Sequence, residues 1–493
     1  MKQTRFFCQD LPSTPTPDIG KILITGATGY VGGRLIPELI HRGYKVRIMV
    51  RAFSPVYKER WPNAEIVVAD VQDEDALRKA LDDIHTAYYL IHSMLLGEKS
   101  FSSADKIAAK NFAAIAKEKD IKRIIYLGGL GDTHSLLSPH LQSRMEVANE
   151  LQQSGVPVTI LRAAVIIGSG SASYEIIKNL VKNLPFLLIP HWAKNKCEPI
   201  GIRDVIKYLV GVLEKPEISG QSFDIGGGEI LTYESMLKKL AEIFGKKIVF
   251  IPTPISNIRF LAYIANFITP VPSPIIRSLL EGLKNEVVCK NTALSEILPF
   301  KTLVYKTTVL RAMSREEQDK VHTRWSDAYP PAHELSLKLH ELEEAPQYTS
   351  SYFLYTEKDP SLLFRDICKV GGDEGWFNSN WMWQLRGLID KLLMGVGTAR
   401  GRRNASILEI NDVLDFWRVE DLKRNKLLLL RAEMKLPGKA WLEFKIEKEK
   451  AGNNLHIKAY YQTHSFFGKI YWYIFLPFHD YIFNDLIKQI AKK

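Results

Sequence analysis

Cysteine is scarce in this chain. Four occur in 493 residues, at Cys8, Cys197, Cys289 and Cys368. None forms a CxxC pair or joins a Cys/His cluster, which argues against structural zinc and against a disulfide framework; no metal site is expected. That usage fits a reducing, cytoplasmic setting. Long apolar runs are missing too: no stretch reaches the ~18 uninterrupted apolar residues of a membrane span. Residues 466–483 come nearest but contain Lys469, His479 and Asp480, and residues 255–280 are broken by three prolines and two arginines. Both read as amphipathic or buried helices. Residues 1–18 lack the apolar core of a secretory signal and read as a disordered lead-in. Internal repeats and low-complexity tracts are absent. Acid is in deficit: 66 Lys and Arg face 55 Asp and Glu, a net charge of +11. That balance suits phosphate-bearing cofactors, anionic membranes or nucleic acid without choosing among them. Helix-turn-helix, zinc-finger and aromatic RNA-binding patterns are missing, so nucleic acid is not expected.

What the chain does have is a glycine turn in a telling place. Ile22–Ile24 is apolar, Thr25-Gly26-Ala27-Thr28-Gly29-Tyr30-Val31-Gly32 follows, and Leu35, Ile36, Leu39 and Ile40 recur at helical spacing. Strand, tight turn and helix in that order make a phosphate cradle: the glycines let backbone come close, and the helix N-terminus offers N–H groups and a positive dipole end. Gly26, Gly29 and Gly32 shape the turn; Thr28, Gly29, Tyr30 and Val31 present backbone to a pyrophosphate.

Further strands are expected at 45–50, 65–69, 86–91, 123–127 and 158–161. Helices are expected at 75–81, 103–119 and 141–153. Such alternation predicts an α/β Rossmann fold, a doubly wound parallel sheet covered on both faces. Residues 168–315 continue as a smaller lobe, with helices at 174–184, 203–213 and 233–244. The expected division is a lead-in at 1–18, a dinucleotide domain with its substrate lobe at 19–315, a polar linker at 316–350 and a second domain at 351–493. In the second domain a strand at 351–356 and an aromatic helix at 376–393 precede successive strands at 408–410, 413–419, 426–434, 439–445 and 455–462. A long helix at 468–491 ends it. This is an α+β module with a curved antiparallel sheet around the terminal helix.

The end of the second strand bears on cofactor choice. An acid there would hydrogen-bond the adenosine ribose and repel a 2′-phosphate; this chain has Arg51, with Arg34 just past the turn. The two cations favour NADP, with NAD as the alternative.

TGATGYVGGR, Arg51, Asp70-Val71 and LRAAVIIGSGSASYE (161–175) resemble the atypical, extended short-chain dehydrogenase/reductases, in particular NmrA-like and complex-I-39-kDa-like members. The segment 184–208 resembles a bacterial subgroup in which that domain is fused to a C-terminal domain of unknown function. GTARGRRN (397–404), DFWRVED (415–421), RAEMKLPGKAWLEF (431–444) and GKIYWYIFLPFHDYIF (468–483) resemble the fused domain, which is similar to START-like helix-grip modules. The resemblance implies that Asp70 and Val71 contact the adenine. It places Ile91, His92 and Ser93 along the nicotinamide half, with Gly128 at the end of the fifth strand. It also implies a Tyr-x-x-x-Lys pair on the helix after that strand and a serine at the strand's end. The chain departs from both. The strand runs into Gly128-Gly129, and the helix reads His140-Leu141-Gln142-Ser143-Arg144. His140 and Arg144 keep the i, i+4 spacing, and the histidine is the best available proton donor.

Two other features suggest ligands. Arg400, Arg402 and Arg403 can grip a phosphate or lipid headgroup. The aromatic stretches 376–383 and 471–483 can line a pocket for an apolar ligand such as a quinone, isoprenoid or acyl chain. The expected function is an NADP-dependent oxidoreductase acting on a hydrophobic substrate, in the cytoplasm or peripheral at the inner membrane face. The alternative is a non-enzymatic NAD(P)-responsive sensor or membrane-associated assembly factor.

Overall fold

The computed structural model describes residues 6–51, 53–91, 98–131, 138–317, 339–342, 344–372, 375–393, 395–398, 408–450 and 452–492. The chain divides into two compact units, Met1–Ala265 with Pro274–Pro331, and Asn266–Ser273 with Ala332–Lys493.

The first unit begins with β1 (Ile22–Ile24), α1 (Gly32–His41), β2 (Val46–Val50), α2 (Pro55–Arg60), β3 (Glu65–Val68), α3 (Glu74–Ala80) and β4 (Thr86–Tyr89). It continues with α4 (Glu98–Glu118), β5 (Arg123–Gly129), α5 (Pro139–Gln152), β6 (Val158–Ala163) and β7 (Ile166–Ile167). Then come α6 (Ala172–Asn183), β8 (Phe186–Pro190), β9 (Lys196–Cys197), β10 (Ile200–Gly201), α7 (Ile202–Leu213), β11 (Ser222–Ile225), β12 (Leu231–Thr232), α8 (Tyr233–Ile243) and β13 (Val249–Thr253). Helices α9 (Ile258–Ile268), α10 (Ser273–Gly282), α11 (Ala293–Ile297) and α12 (Tyr305–Glu317) follow.

Seven strands form one parallel sheet in the order β11-β6-β5-β4-β1-β2-β3. Its central strands are buried on both faces, so β1 reads as an unbroken apolar run instead of alternating. The strand order reverses between β1 and β4, and a ligand crevice opens beyond the carboxyl ends of the strands at such a point.

Thr25 fastens that junction. It is fully buried; its N–H and Oγ1 both donate to the Tyr88 carbonyl, and Oγ1 accepts from Leu90 N–H at 3.0 Å. The turn that follows is built around missing side chains. Gly26 has φ +62°, and a Cβ there would lie 2.4 Å from the Leu90 carbonyl oxygen. A Cβ on Gly32 would lie 2.4 Å from the Gly26 oxygen.

The lead-in differs from expectation. Residues 6–18 pack onto the domain, with Phe7, Cys8 and Leu11 buried. Phe7 and Cys8 N–H groups donate to the buried Glu38 carboxylate at 2.7 and 3.1 Å. Arg42 donates to Glu214 and to the Cys8 and Ser13 carbonyls. These partners lie far along the chain, so a local reading sees only polar residues and prolines.

The second unit contains β14 (Tyr348–Thr356), α13 (Pro360–Ile367), α14 (Asn380–Leu392), β15 (Val413–Leu414), β16 (Trp417–Lys423), β17 (Leu427–Ala432), β18 (Lys439–Lys448), β19 (Asn453–Gln462) and α15 (Phe466–Ala491). Its six-stranded sheet, β14-β19-β18-β17-β16-β15, is antiparallel throughout. One face is apolar by alternation: Leu428, Leu430, Leu442, Phe444, Leu455 and Ile457 are fully buried. Helix α15 covers part of it, with Trp472 stacked on Tyr461 at 5.7 Å and Ile482, Phe483, Leu486, Ile487 and Ile490 buried.

The strand expected at 413–419 is instead a hairpin. Asp415 turns it with φ +53°, and its carboxylate accepts from Trp376 Nε1 at 2.9 Å and from Gly372 N–H. Residues 408–410 are not a strand, and 318–338 of the expected linker lie outside the described residues. Among the described residues no helix is long and apolar enough to cross a membrane.

His479 of α15 lies between the Trp472 and Phe483 rings, 5.2 and 5.6 Å away. Burial, with Arg386 as a nearby cation, pushes its imidazole down to about 4. The folded form therefore keeps His479 neutral while the unfolded chain takes up a proton near pH 6.5. The associated stability is complete above about pH 6.5 and is lost as pH falls toward 4, on the order of 2–3 kcal/mol. Thermal unfolding followed between pH 7.5 and 4.5 should show this loss, and His479→Gln should flatten that part of the profile. Gly32→Ala should destabilise the first unit by about 2 kcal/mol or more in denaturant unfolding, because the turn has no room for the methyl group.

Candidate functional site

The glycine turn lies where the strand order reverses, at the carboxyl end of β1. Gly29 N–H closes the turn on the Gly26 carbonyl at 2.9 Å, and α1 opens at Gly32. Gly33 and Arg34 N–H bond back to the Gly29 and Val31 carbonyls at 3.0 Å, so what this end of α1 presents to an anion is its positive dipole end and the backbone of residues 28–32. Thr28, Gly29, Tyr30 and Val31 are half-buried along it. The arrangement fits a dinucleotide pyrophosphate: donors at a helix N-terminus, at the strand-order reversal, with close approach assured by glycine.

Arg51 and Arg34, paired in the sequence reading, occupy different environments. Arg51 follows β2 with part of its surface exposed; desolvation of its guanidinium lowers it, and the nearby Asp70 acts in the opposite sense. Arg34 ties down a loop. Its guanidinium lies 4.1 Å from the Tyr30 ring centroid and donates to the Tyr30 carbonyl at 3.0 Å and the Ser169 carbonyl at 2.9 Å. The Tyr30 hydroxyl fits against Gly168, where a Cβ would be 2.4 Å away. Tyr30 and Arg34 thus join the glycine turn to the loop after β7, a role the sequence reading missed.

Asp70 follows β3 and accepts from Gln72 N–H at 2.9 Å, which shapes the turn holding the buried Val71. Ile91 is half-buried after β4 and packs against the core. His92 and Ser93 lie outside the described residues, as do Arg400, Arg402 and Arg403.

Helix α5 packs on the strand end where the serine is missing. Ser138 caps it, accepting from Leu141 N–H, and Pro139 fills its first turn. The helix packs so closely on the end of β5 that a Cβ on Gly129 would lie 2.9 Å from Leu141 Cδ2 and 3.5 Å from Arg144 Cγ. A side chain at Gly129 would press on the end of the Leu141 side chain. Gly128 is half-buried beside the Tyr126 ring.

His140 is half-buried in the first turn of α5. Arg144, one turn on, is buried and ion-paired with the buried Asp105 of α4, and its carbonyl accepts from the Tyr126 hydroxyl. The pair that shares a helix face in sequence thus divides in space between a half-exposed imidazole and an internal strut.

The sequence reading also overlooked a second Tyr-x-x-x-Lys spacing, Tyr174 to Lys178 on α6. Tyr174 is fully buried in a cluster with Leu130, Leu141 and Ile167. The Lys178 ammonium lies 5.5 Å from its ring centroid and 2.8 Å from Glu175. That cation lies over the ring face, and the phenol is closed to solvent.

In the second unit, the buried members of the aromatic set expected to line a pocket pack on one another, while Trp381, Tyr473, Phe478 and Tyr481 are exposed. Trp376 stacks on Trp383 at 4.5 Å, and Trp383 meets Phe416, Trp417 and Phe483. On the opposite face of the sheet from the apolar core, Arg418, Glu420, Arg431 and Glu433 form a buried charge network. Trp441 Nε1 donates to Glu420 at 3.0 Å. Desolvation raises the Glu420 carboxyl and lowers the Arg431 guanidinium.

Residues 26–183 match the family model described as NAD(P)H-binding, and residues 344–486 match a protein family of unknown function, DUF2867. Curated relatives match the first unit. A chloroplastic divinyl chlorophyllide a 8-vinyl-reductase of Cucumis sativus is 23% identical over 270 residues, covering 51% of this chain and 64% of that protein. The photosystem II assembly factor Ycf39 of Trieres chinensis is 21% identical, covering 50% of this chain and 76% of that one. NADH dehydrogenase [ubiquinone] 1 alpha subcomplex subunit 9 of Arabidopsis thaliana is 24% identical, covering 58% and 76%. The match thus spans less than two thirds of the cucumber reductase. Among solved structures, the NADP(H) complex of Citrobacter triphenylmethane reductase is 16% identical with a TM-score of 0.48, covering 59% of this chain and 99% of that one. The chain joins an NAD(P)-binding, NmrA-like Rossmann domain to a C-terminal DUF2867 domain.

Proposed function

We propose that the chain is an NADP-dependent oxidoreductase that reduces a hydrophobic, quinone-, isoprenoid- or lipid-like substrate. The observation that carries this reading is Arg51 at the end of β2, exposed beside a glycine turn that cradles a pyrophosphate. An arginine in place of the usual acid favours a 2′-phosphate. The cofactor, when bound, supplies the hydride. Gly26 to Gly32 would hold its pyrophosphate, Asp70 and Val71 would border its adenine, and Ile91 and Gly128 would border its nicotinamide half. His140 donates the proton: an imidazole titrates near neutrality, and its place in the first turn of α5 sets it near the carboxyl end of β5. Arg144, locked to Asp105, positions α5 and takes no part in proton transfer.

A hydrophobic substrate is supported by the relatives, two of which are named for a chlorophyllide and for a ubiquinone-linked dehydrogenase. The second domain, read as START-like, would bind or deliver the apolar ligand. The setting is cytoplasmic, at the inner membrane face. One observation favours the second reading, a dinucleotide-responsive accessory factor: α5 carries neither the tyrosine nor the lysine of the usual proton relay. A relative named as an assembly factor accords with it.

Titration of the full chain with NADPH and NADH tests the first step. NADPH should bind more tightly, and Arg51→Glu should weaken NADPH binding about tenfold or more while leaving NADH nearly unchanged. Failure to bind either nucleotide would overturn both readings. Mass spectrometry of the purified protein for a bound quinone or lipid, then NADPH oxidation with that compound, separates them. His140→Gln should slow turnover about a hundredfold without loss of NADPH binding, and no oxidation by the unaltered protein would leave the accessory reading.

A further inference from the structure

The loop after β7 carries a hydroxyl that the fold leaves unused. Ser169 is only 5% exposed, and its Oγ has no hydrogen-bond partner among the described residues. Other serines of this region are employed. Ser138 caps α5 and Ser171 caps α6, each side chain accepting a backbone N–H. Burying a hydroxyl without a partner is costly, so folding gains nothing at position 169 that alanine would not supply.

Ser169 is fastened to the glycine turn. Its carbonyl accepts from Arg34 Nη2 at 2.9 Å, and Arg34 Nη1 donates to the Tyr30 carbonyl at 3.0 Å. Gly168 lies so close to the Tyr30 hydroxyl that a Cβ there would be 2.4 Å from it. Ser171 N–H closes a turn on the Gly168 carbonyl at 3.0 Å. Gly170 within it has φ +78°, the left-handed conformation that a type II turn needs at that position. These bonds hold residue 169 beside residues 30–34, where α1 begins.

The glycine turn has spent several of its own donors. The N–H groups of Gly29, Gly33 and Arg34 are taken up by carbonyls within it. A pyrophosphate presents several anionic oxygens, each able to accept from an O–H group. The local charge suits it: Arg34 is positive, and Glu175, the acid in the first turn of α6, is ion-paired with Lys178 at 2.8 Å. A buried O–H donor without a protein partner, fixed beside an anion cradle, points to a ligand that supplies the acceptor.

We propose that the Ser169 hydroxyl donates to the pyrophosphate of the bound dinucleotide, a contact from outside the glycine motif. It rests on the reading of the glycine turn as a dinucleotide cradle. Calorimetric titration of the full chain and of Ser169→Ala with NADPH, NADH and ADP-ribose tests it. The three ligands share the pyrophosphate, so the variant should bind each about tenfold more weakly, by a common factor. Thermal unfolding of the unliganded variant should match or exceed that of the unaltered protein, because alanine removes a buried group with no partner. A loss confined to NADPH would move the contact to the 2′-phosphate, and a loss that spares ADP-ribose would move it to the nicotinamide half. Either result overturns the proposal. So would a lowered unfolding temperature, which makes the hydroxyl part of the fold. If the unaltered chain binds none of the three, the dinucleotide reading fails and the proposal with it. If the unaltered chain binds them and the variant binds them equally well, that reading stands and only the assignment of Ser169 falls.

Discussion

The first unit depends on a steric exclusion. Between the carboxyl end of β1 and the start of α1 the chain doubles back so tightly that the Gly26 carbonyl occupies the place of a Gly32 side chain, and the Leu90 carbonyl that of a Gly26 side chain. Both collisions are with backbone, which cannot rotate aside. The same closeness puts the N-terminus of α1 at the reversal between β1 and β4, which Thr25 holds with three hydrogen bonds to Tyr88 and Leu90. The cradle and the sheet topology are therefore one feature. A chain that could not make this turn could not enter α1 in the direction that covers β1 and β2, and it would lose the anion site along with the packing.

The turn was legible in sequence because its determinants are local: apolar run, glycine spacing and apolar periodicity lie within twenty residues. So was the alternation of strands and helices behind it. What escaped reading was set by distant partners. Residues 6–18 look like a disordered lead-in, yet the segment is held by Glu38, Arg42 and Glu214, up to two hundred residues away. Nothing in the local pattern announces a buried carboxylate waiting for two N–H groups. The strand expected at 413–419 shows the same limit from the other direction: its residues favour a strand, but Asp415 accepts from Trp376 and Gly372 and turns the chain. Arg34, read as a charge for a phosphate, is engaged with Tyr30 and the Ser169 carbonyl because β7 returns beside the glycine turn, and only topology places it there.

The proton-relay region shows why similar spacing need not mean similar chemistry. His140 and Arg144 sit four residues apart on one helix, so sequence presents them as a pair. Packing treats them separately. Arg144 faces inward to Asp105, a buried charge that would be costly without its carboxylate, while His140 stays in the half-exposed first turn. Helix α5 seats closely on β5, with the Leu141 side chain against Gly129, at the strand end where reductases place a serine. These features meet in one place: Gly129 ends the strand under the helix that carries His140 and the Arg144–Asp105 ion pair.

The second unit inverts the usual economy of apolar surface. Its core is complete, with one sheet face filled by Leu428, Leu430, Leu442, Phe444, Leu455 and Ile457 and closed partly by α15. Its aromatic residues nevertheless exceed what that core uses. Those at 376 and 383 stack within the fold, whereas Trp381, two residues from Trp383, points away from it. A helix that needed only to cover the sheet would carry polar residues at 381, 385, 388 and 392, where water is in contact and an apolar side chain contributes nothing to folding. On two neighbouring helices those positions are apolar. Folding of the unit therefore does not account for them.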